Sequence, residues 1–266
     1  GGTLHIEEIQ DQVELELMRS GEQKVARAYV LYREERKQLR QKETPLKEER
    51  EGITITLDNG EEDALDIKHL EVMVAEACEG LEGTNAKHII DEANKNLYDG
   101  VTEEDARTSL VMTSRTLVEQ EPNYTYVTAR ILLDNIRTEA LTYLGMQKKA
   151  TLQEMEDLYP QALRNFLAKG VENEILNPEL LEMDIEKLGK AIHATRDADF
   201  TYLGLQTLYD RYFIRSEGKI MESPQGFWMR VAMGIAINEE DKEEKAIEFY
   251  NLMSKFLYTP STAPDY

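Results

Sequence analysis

Few side chains in this sequence could do chemistry, and they do not fall into a familiar active-site pattern. Its four histidines are His5, His69, His88 and His193, and only His69 follows an acidic residue, Asp66, by three positions. Di-metal helical bundles use this spacing, but they need a second acidic-x-x-His pair and two further carboxylates. No second pair occurs in the sequence, so a metal site of this kind is not expected.

The other reactive groups also have structural explanations. The single cysteine, Cys78, excludes an internal disulfide framework and a Cys-ligated zinc site. It lies beside the apolar face of a predicted helix, where no basic neighbour is expected to lower its pKa, so a buried, unreactive thiol is predicted. Paired carboxylates at Glu7-Glu8, Glu103-Glu104 and Glu239-Glu240 lie at helix starts or in loops, where helix-dipole and solubility roles account for them. Phosphate-loop, dinucleotide, nucleophile-elbow and HExxH motifs are absent from the sequence.

Composition narrows the class of protein. The 266 residues include 31 Lys and Arg against 52 Asp and Glu, a formal net charge of -21. Phosphate backbones and anionic lipids are held by Lys and Arg, so no nucleic acid and no membrane partner is expected. No apolar run approaches the roughly 20 residues of a membrane span, and no signal peptide is expected, because Gly1-Gly2-Thr3 leads straight into a predicted charged helix. A cytoplasmic, acidic, mostly helical protein is predicted.

The first segment predicts two helices, and the second ends in a basic run. Residues 6–17 carry apolar side chains at helical spacing. The basic run at Arg33–Lys42 is interpreted as a solvated helix end that complements the helix dipole, with a phosphate site as the alternative. The charged segment 41–52, which contains Pro45, is typical of a linker.

A β-hairpin and a capped helix are predicted next. Residues 53–57 alternate β-branched side chains, and Asn59-Gly60 behind them is a strong hairpin signal. Ala64-Leu65 would form the short returning strand. Asp66 is predicted to cap the helix that follows. The apolar face of that helix comprises Ile67, Leu70, Val74, Ala77 and Leu81.

Helical spacing continues along the rest of the chain. Helices are predicted near 84–97, from Thr102 and after Pro122. Ser216-Glu217-Gly218 predicts a short hairpin, and Ser223-Pro224 predicts a helix start. Three more apolar stripes predict helices: Leu158, Tyr159, Leu163, Phe166 and Leu167; Leu203, Leu205, Leu208, Tyr209 and Tyr212; and Ala246, Tyr250, Met253 and Leu257.

A faint internal repeat accompanies these helices. Ala26-Arg27 and Ala129-Arg130 each lie in the second helix of a pair whose first helix opens with paired glutamates. A period of about 100 residues indicates domain duplication rather than a solenoid.

Several segments, taken in order, resemble the N-terminal part of the large (alpha) subunit of class I ribonucleoside-diphosphate reductase. The resemblance covers residues 4–264. The segments that carry it are Tyr98–Val101, Thr113–Leu117, Glu121–Arg130, Asp197–Tyr202, Glu222–Gln225, Met229–Ala232 and Pro260–Thr262.

The resemblance implies a mainly α fold of helical bundles, with a small β-hairpin cap, followed by a helical domain that leads into the reductase barrel. The implied divisions are the C-terminal helices of a first ATP-cone (1–42), a linker (43–52), a second ATP-cone (53–145), the helical N-terminal domain (146–257) and the start of the barrel (258–266).

The family reduces ribonucleoside diphosphates by cysteine radical chemistry, with a small metal-containing subunit that supplies the radical. ATP and dATP act as allosteric effectors through the cones, and homodimers or higher oligomers of the large subunit are implied. The family's catalytic cysteines lie downstream of this chain, and Cys78 matches none of them. The chain alone is therefore expected to be inactive and to hold no cofactor.

One element carries over as a substrate site. Thr262, with Ser261 beside it, matches the threonine that binds the substrate diphosphate, because hydroxyl and backbone N–H groups suit phosphate oxygens. The residue after it is Ala263, where the family usually has proline.

The second cone departs from the family where nucleotide phosphates are held. Leu57-Asp58 replace a Lys-Arg pair, while His69 and Thr138 occupy the positions of two lysines. Acidic residues surround the first of these positions, and each lost charge-assisted contact is worth roughly 1.5–3 kcal/mol. This cone is predicted to bind no nucleotide, and any competence for dATP would belong to the first cone, whose tail is residues 4–40.

Two alternatives from other classes remain. One is a non-catalytic acidic scaffold or adaptor that binds a basic partner. The other is a stand-alone nucleotide-sensing regulator, which would require the missing Lys-Arg pair at 57–58.

Overall fold

A computed structural model of the chain describes residues 54–56, 62–64, 66–95, 97, 100–147 and 149–259, which belong to one compact unit. Predictions that concern residues 1–53, 57–61 and 260–266 therefore lie outside the described residues. Within these ranges the fold is mainly α, as predicted. Its α-helices are α1 (Ile67–Cys78), α2 (Ala86–Asn94), α3 (Glu103–Thr116), α4 (Tyr124–Tyr143), α5 (Leu152–Glu172), α6 (Ile185–Lys190), α7 (Tyr202–Arg211), α8 (Pro224–Ala236) and α9 (Lys242–Ser254).

The predicted hairpin is present and belongs to a small sheet. Strands β1 (Thr54–Thr56) and β2 (Glu62–Ala64) pair antiparallel with Ile55 opposite Asp63. The returning strand thus begins earlier than Ala64. A third strand that the sequence did not predict, β3 (Val101–Thr102), pairs parallel to β1.

The helices that follow begin at polar caps. Asp66 Oδ1 accepts the backbone N–H of His69 at 3.0 Å at the start of α1, as predicted. Asn85 caps α2 through the N–H of His88 at 3.1 Å, and Thr102 caps α3. Each cap satisfies an N–H that has no intrahelical partner. Leu81 lies beyond the end of α1 and is only partly buried, so the predicted apolar face is one turn shorter.

Helix α4 is the central element of the fold. It contacts α1 and α3 on the side of the predicted cone, and α7 and a 3₁₀ turn at Ala194–Asp199 on the other side. Val127, Ile131 and Ile136 are completely buried along it. One contiguous hydrophobic cluster runs from α1 to α9, so the residues on the two sides of position 145 share a core.

Helix α5 begins at a capping box and contains a proline. The Thr151 hydroxyl accepts the Glu154 N–H at 3.2 Å, while the Glu154 carboxylate accepts the Thr151 N–H at 2.8 Å. Tyr159, Leu163 and the other members of the predicted stripe pack into the core. A Cβ on Gly189, in α6, would lie 2.7 Å from the Cα of Pro160, so α6 approaches α5 backbone to backbone.

The C-terminal helices confirm some stripes and correct others. Strands β4 (Arg215–Ser216) and β5 (Lys219–Ile220) form the second predicted hairpin, and α8 begins at Pro224 as expected. The stripe on α7 was overestimated, because Leu205 is buried but Leu203 is 74% exposed. Leu257 follows the end of α9 and is 71% exposed, so it is not part of that helix's buried face.

Among the described residues, no helix is long and apolar enough to cross a bilayer.

Candidate functional site

The residues proposed for binding fall partly inside the described ranges. Ser261 and Thr262, proposed for substrate, lie outside them, as do Leu57 and Asp58. His69 and Thr138, at the positions of two family lysines, are described. The described part of the site lies around α1, α3 and α4.

Asp66 acts as a helix cap. Its Oδ1 holds the His69 N–H, and its Oδ2 lies 3.3 Å from Nζ of Lys149. The His69 backbone bond, followed by the Lys149 contact, lowers the pKa of Asp66. The imidazole of His69 points elsewhere, with Nε2 lying 3.8 Å from Oδ2 of Asp134, an ion-pair rather than a hydrogen-bond distance. The two side chains therefore do not converge on one site: the Asp66 carboxylate faces Lys149, and the His69 imidazole faces Asp134.

A buried ion pair occupies the region where the resemblance places nucleotide phosphates. Nη1 of Arg107, from α3, donates to Oδ2 of Asp134, from α4, at 2.6 Å. The same nitrogen lies 3.4 Å from Oδ1 of Asn135 and 3.4 Å from Oγ1 of Thr138. Arg107 is 7% exposed and Asp134 is 4% exposed, so water screens the pair little.

Asp134 is an anion in this cluster. Burial acts to raise its pKa, but the approach of His69 and the charges of Arg107 and Arg137 outweigh burial, and the pKa is lowered. The positive charge of Arg107 is therefore balanced by the carboxylate of Asp134. A phosphate group at this point would meet a carboxylate that already holds the guanidinium.

Sequence reasoning missed both members of this pair. The available signal was Asp134, because it directly follows the apolar residues Ile131, Leu132 and Leu133 in a predicted helix, with Ile136 close behind. A carboxylate in such a run is buried only with a partner. The sequence does not say which of its cations that partner is.

Cys78 is partly buried at the end of α1. Burial raises the pKa of its thiol, and the smaller opposing effects of Thr84 and Arg130 do not reverse this. The prediction of an unreactive thiol is supported, although the side chain is less buried than expected and a basic residue, Arg130, is near it.

A cavity of about 630 Å³ lies beside the ion pair, between α1, α4, the start of α5 and the 3₁₀ turn at 194–199. Arg130 and Arg137 line it from α4. Nη1 of Arg130 donates to the carbonyl oxygens of Ala77 at 3.1 Å and Glu79 at 2.9 Å, at the C-terminal end of α1. Arg137 is 5% exposed, and among the described residues none accepts a hydrogen bond from its Nε or Nη2.

A second buried polar network joins the C-terminal helices. Asp197 accepts hydrogen bonds from the Tyr159 hydroxyl at 2.7 Å and from Nε2 of Gln225 at 2.9 Å. The Tyr250 hydroxyl donates to Oε1 of Gln225 at 2.8 Å and accepts the His193 N–H at 3.0 Å. Burial raises the pKa of both Asp197 and Tyr159. These bonds connect α5, α8 and α9, which is a structural role.

Comparisons with known proteins agree with the resemblance. The family model described as "Ribonucleotide reductase, all-alpha domain" matches residues 198–263, and that described as "ATP cone domain" matches residues 1–38. Ribonucleoside-diphosphate reductase subunit alpha of Chlamydia trachomatis is 39% identical over 97% of this chain, and that of Chlamydia pneumoniae is 36% identical over 97%. The Helicobacter pylori subunit alpha is 29% identical over 77% of the chain.

This chain spans about a quarter of the length of these relatives, 25% for the two chlamydial proteins. The match nonetheless covers 97% of its residues in both chlamydial relatives. The chain belongs to the family of the ribonucleoside-diphosphate reductase large (alpha) subunit.

Proposed function

We propose that this chain is the regulatory and helical N-terminal part of an enzyme that reduces ribonucleoside diphosphates to deoxyribonucleotides for DNA synthesis. ATP and dATP are its allosteric effectors, and a small, radical-generating subunit is its partner in the cytoplasm. Large subunits associate as homodimers or higher oligomers. The similarity to reductase alpha subunits over 97% of the chain carries this proposal and does not favour the acidic-scaffold alternative.

Radical chemistry is proposed to lie outside this chain. Its one cysteine, Cys78, has a raised pKa and lies at the end of a helix in the second cone. A redox-active cysteine pair cannot be formed from a single thiol. The chain alone is therefore inactive in reduction.

Within the regulatory part, we propose that the cone at 53–145 binds no nucleotide. The Arg107–Asp134 pair supports this, because its cation is already engaged by a buried anion at 2.6 Å. Thr138, the second lysine position, is neutral and also lies near Arg107. A triphosphate would have to displace Asp134 from Arg107 without gaining the cations found in active cones.

Titration of the whole chain with dATP and ATP by calorimetry tests this proposal. We expect no micromolar site, because the second cone lacks the phosphate-binding cations and the segment that matches a cone model covers only residues 1–38. Arg107→Met is the diagnostic variant. A micromolar site in the unaltered chain that is lost in Arg107→Met would contradict the proposal.

Thr262 and Ser261 are proposed to bind the diphosphate of the substrate. In a full-length large subunit carrying this sequence, Thr262→Val should raise KM for a ribonucleoside diphosphate by about 10-fold or more, since one charge-assisted hydrogen bond is worth roughly 1.5–3 kcal/mol. Ser261→Ala should have a smaller effect. Thr259→Val, an exposed threonine three residues earlier, is the matched control. An unchanged KM in Thr262→Val would exclude this role.

A further inference from the structure

Arg137 lies between two carboxylates that belong to different parts of the fold. Asp134 precedes it by three residues on α4, a spacing that places both side chains on one face of the helix. Oδ2 of Asp197, in the 3₁₀ turn at Ala194–Asp199, lies 3.6 Å from Nη2 of Arg137. All three side chains are buried, so water screens their charges little. The charge of Arg137 therefore acts on both carboxylates.

Each carboxylate is also tied to a different set of helices. Asp134 accepts a hydrogen bond from Arg107 of α3, which precedes position 145. Asp197 accepts hydrogen bonds from Tyr159 of α5 and Gln225 of α8, which follow that position. A buried polar path thus runs from α3 through Arg137 to α5 and α8.

The Arg137 guanidinium is not fixed by a hydrogen bond to Asp197. The 3.6 Å contact is longer than a hydrogen bond. Among the described residues none accepts a hydrogen bond from its Nε or Nη2, and both atoms are shielded from solvent. Buried donors without partners are costly. A small shift that brings the guanidinium within hydrogen-bond distance of one carboxylate is therefore favoured, and it weakens the interaction with the other.

The neighbouring cavity gives this side chain room to shift. Side chains in a closely packed core are held in place by their neighbours. Arg137 and Asp134, in contrast, both line the cavity of about 630 Å³ between α1, α4 and the start of α5. The guanidinium can therefore change its tilt without displacing a helix.

We propose that Arg137 is a shared counter-ion that couples α3 to α5 and α8. When Arg107 holds Asp134, Arg137 is available to Asp197. When α3 moves and withdraws Arg107, Asp134 draws Arg137 away from Asp197. Through this exchange the cone proposed at 53–145 acts on the helical domain without binding a nucleotide itself; that consequence rests on the proposed function, whereas the coupling does not.

A double-mutant cycle in the whole chain tests the coupling. Asp134→Asn and Asp197→Asn are made singly and together, and the urea midpoint of each variant is measured by circular dichroism. A fixed Arg137 gives additive losses, because it interacts with each carboxylate separately. A shared Arg137 moves towards whichever carboxylate remains, so the loss in the double variant should exceed the sum of the single losses by about 0.3 M urea or more. Additive losses would overturn the proposal.

The Arg137→Met background separates this effect from direct repulsion between the two carboxylates. Repulsion also makes the double loss exceed the sum, but it does not need Arg137. We expect the excess to fall at least twofold in Arg137→Met, and a smaller fall would overturn the role of Arg137. The control cycle pairs Asp197→Asn with Asp91→Asn, an exposed aspartate on α2, and should be additive.

Crystal structures of two single variants provide the test if Arg137→Met or the double variant does not fold. In Asp134→Asn, the distance from Nη2 of Arg137 to Oδ2 of Asp197 should shorten from 3.6 Å to about 3.0 Å, a hydrogen bond. In Arg107→Met the same distance should lengthen, because Asp134 is released to Arg137. Asp91→Asn should leave it unchanged. Equal distances in Asp134→Asn and Arg107→Met would overturn the proposal.

Discussion

Replacing Asp134 with asparagine removes the charge that compensates Arg107 while keeping the shape of the side chain. In the wild-type chain the two groups are 2.6 Å apart, and both are more than nine-tenths buried. Breaking a buried ion pair by removing one partner costs about 3–5 kcal/mol. The asparagine oxygen still accepts one hydrogen bond from Arg107, so we expect a loss of about 3 kcal/mol in the free energy of unfolding at pH 7.

The pH dependence of this loss provides a second test. The pKa of Asp134 is lowered in the folded chain from its ordinary value of 3.8. Its carboxylate therefore adds stability that is present above pH 3.8 and is lost as the pH falls through the folded-state pKa. The difference between the wild-type chain and Asp134→Asn should shrink accordingly in acid.

Urea unfolding followed by circular dichroism, at pH 7 and at pH values below 3.8, measures both quantities. Asp91→Asn, an exposed aspartate on α2, is the matched control and should change stability by less than about 0.5 kcal/mol. If Asp134→Asn costs no more than Asp91→Asn, or if its cost is the same at both pH values, the ion pair does not have the strength inferred from its burial.

Two further predictions concern packing and the second polar network. Gly189→Ala should lower the midpoint of thermal unfolding, because its Cβ would lie 2.7 Å from the Pro160 backbone; Gly226→Ala, whose nearest contact is 3.9 Å away, should be neutral or slightly stabilising. Tyr250→Phe should cost about 1–3 kcal/mol in urea unfolding near neutral pH, because both partners of its hydroxyl lose a hydrogen bond. Burial raises the pKa of Tyr250 to about 12 from 10.0, so its stabilisation is present below pH 10 and is lost as the pH rises towards 12. A cost for Tyr250→Phe that is unchanged between pH 10 and 12 would contradict this reasoning, as would equal melting midpoints for the two glycine variants.

Local signals predicted local structure well in this chain. Asp66 caps α1, Pro224 starts α8, and the hairpin at 215–220 turns through Glu217 and Gly218, both with positive φ. These features depend on backbone preferences that a few neighbouring residues determine. Helix periodicity was less reliable at the surface, because an apolar residue such as Leu203 has the right spacing but no element packs over it.

Long-range polar pairs could not be predicted. Arg107 and Asp134 meet because α3 and α4 pack together, and the Tyr159–Asp197 bond joins groups far apart in the sequence. Apolar neighbours of Asp134 indicate its burial but not its partner, and Asp197, in the sequence Thr-Arg-Asp-Ala-Asp, carries no such signal. The cavity was missed for the same reason, since its walls come from segments on both sides of residue 145.

Helix α4 connects α3 to α7 and β5, so a movement of α3 could be transmitted through it to the C-terminal elements. Its Asp134 is tied to α3, while its Glu139 accepts the Tyr209 hydroxyl at 3.2 Å and the Ile220 N–H at 2.9 Å from α7 and β5. Asp134 and Glu139 both lie in the C-terminal half of α4, so this half of the helix is held to elements on both of its sides. We expect motion of α3 to reach α7 and β5 as a shift of this half of α4 as one unit, which amide exchange along 134–143 would register as one cooperative opening rather than two.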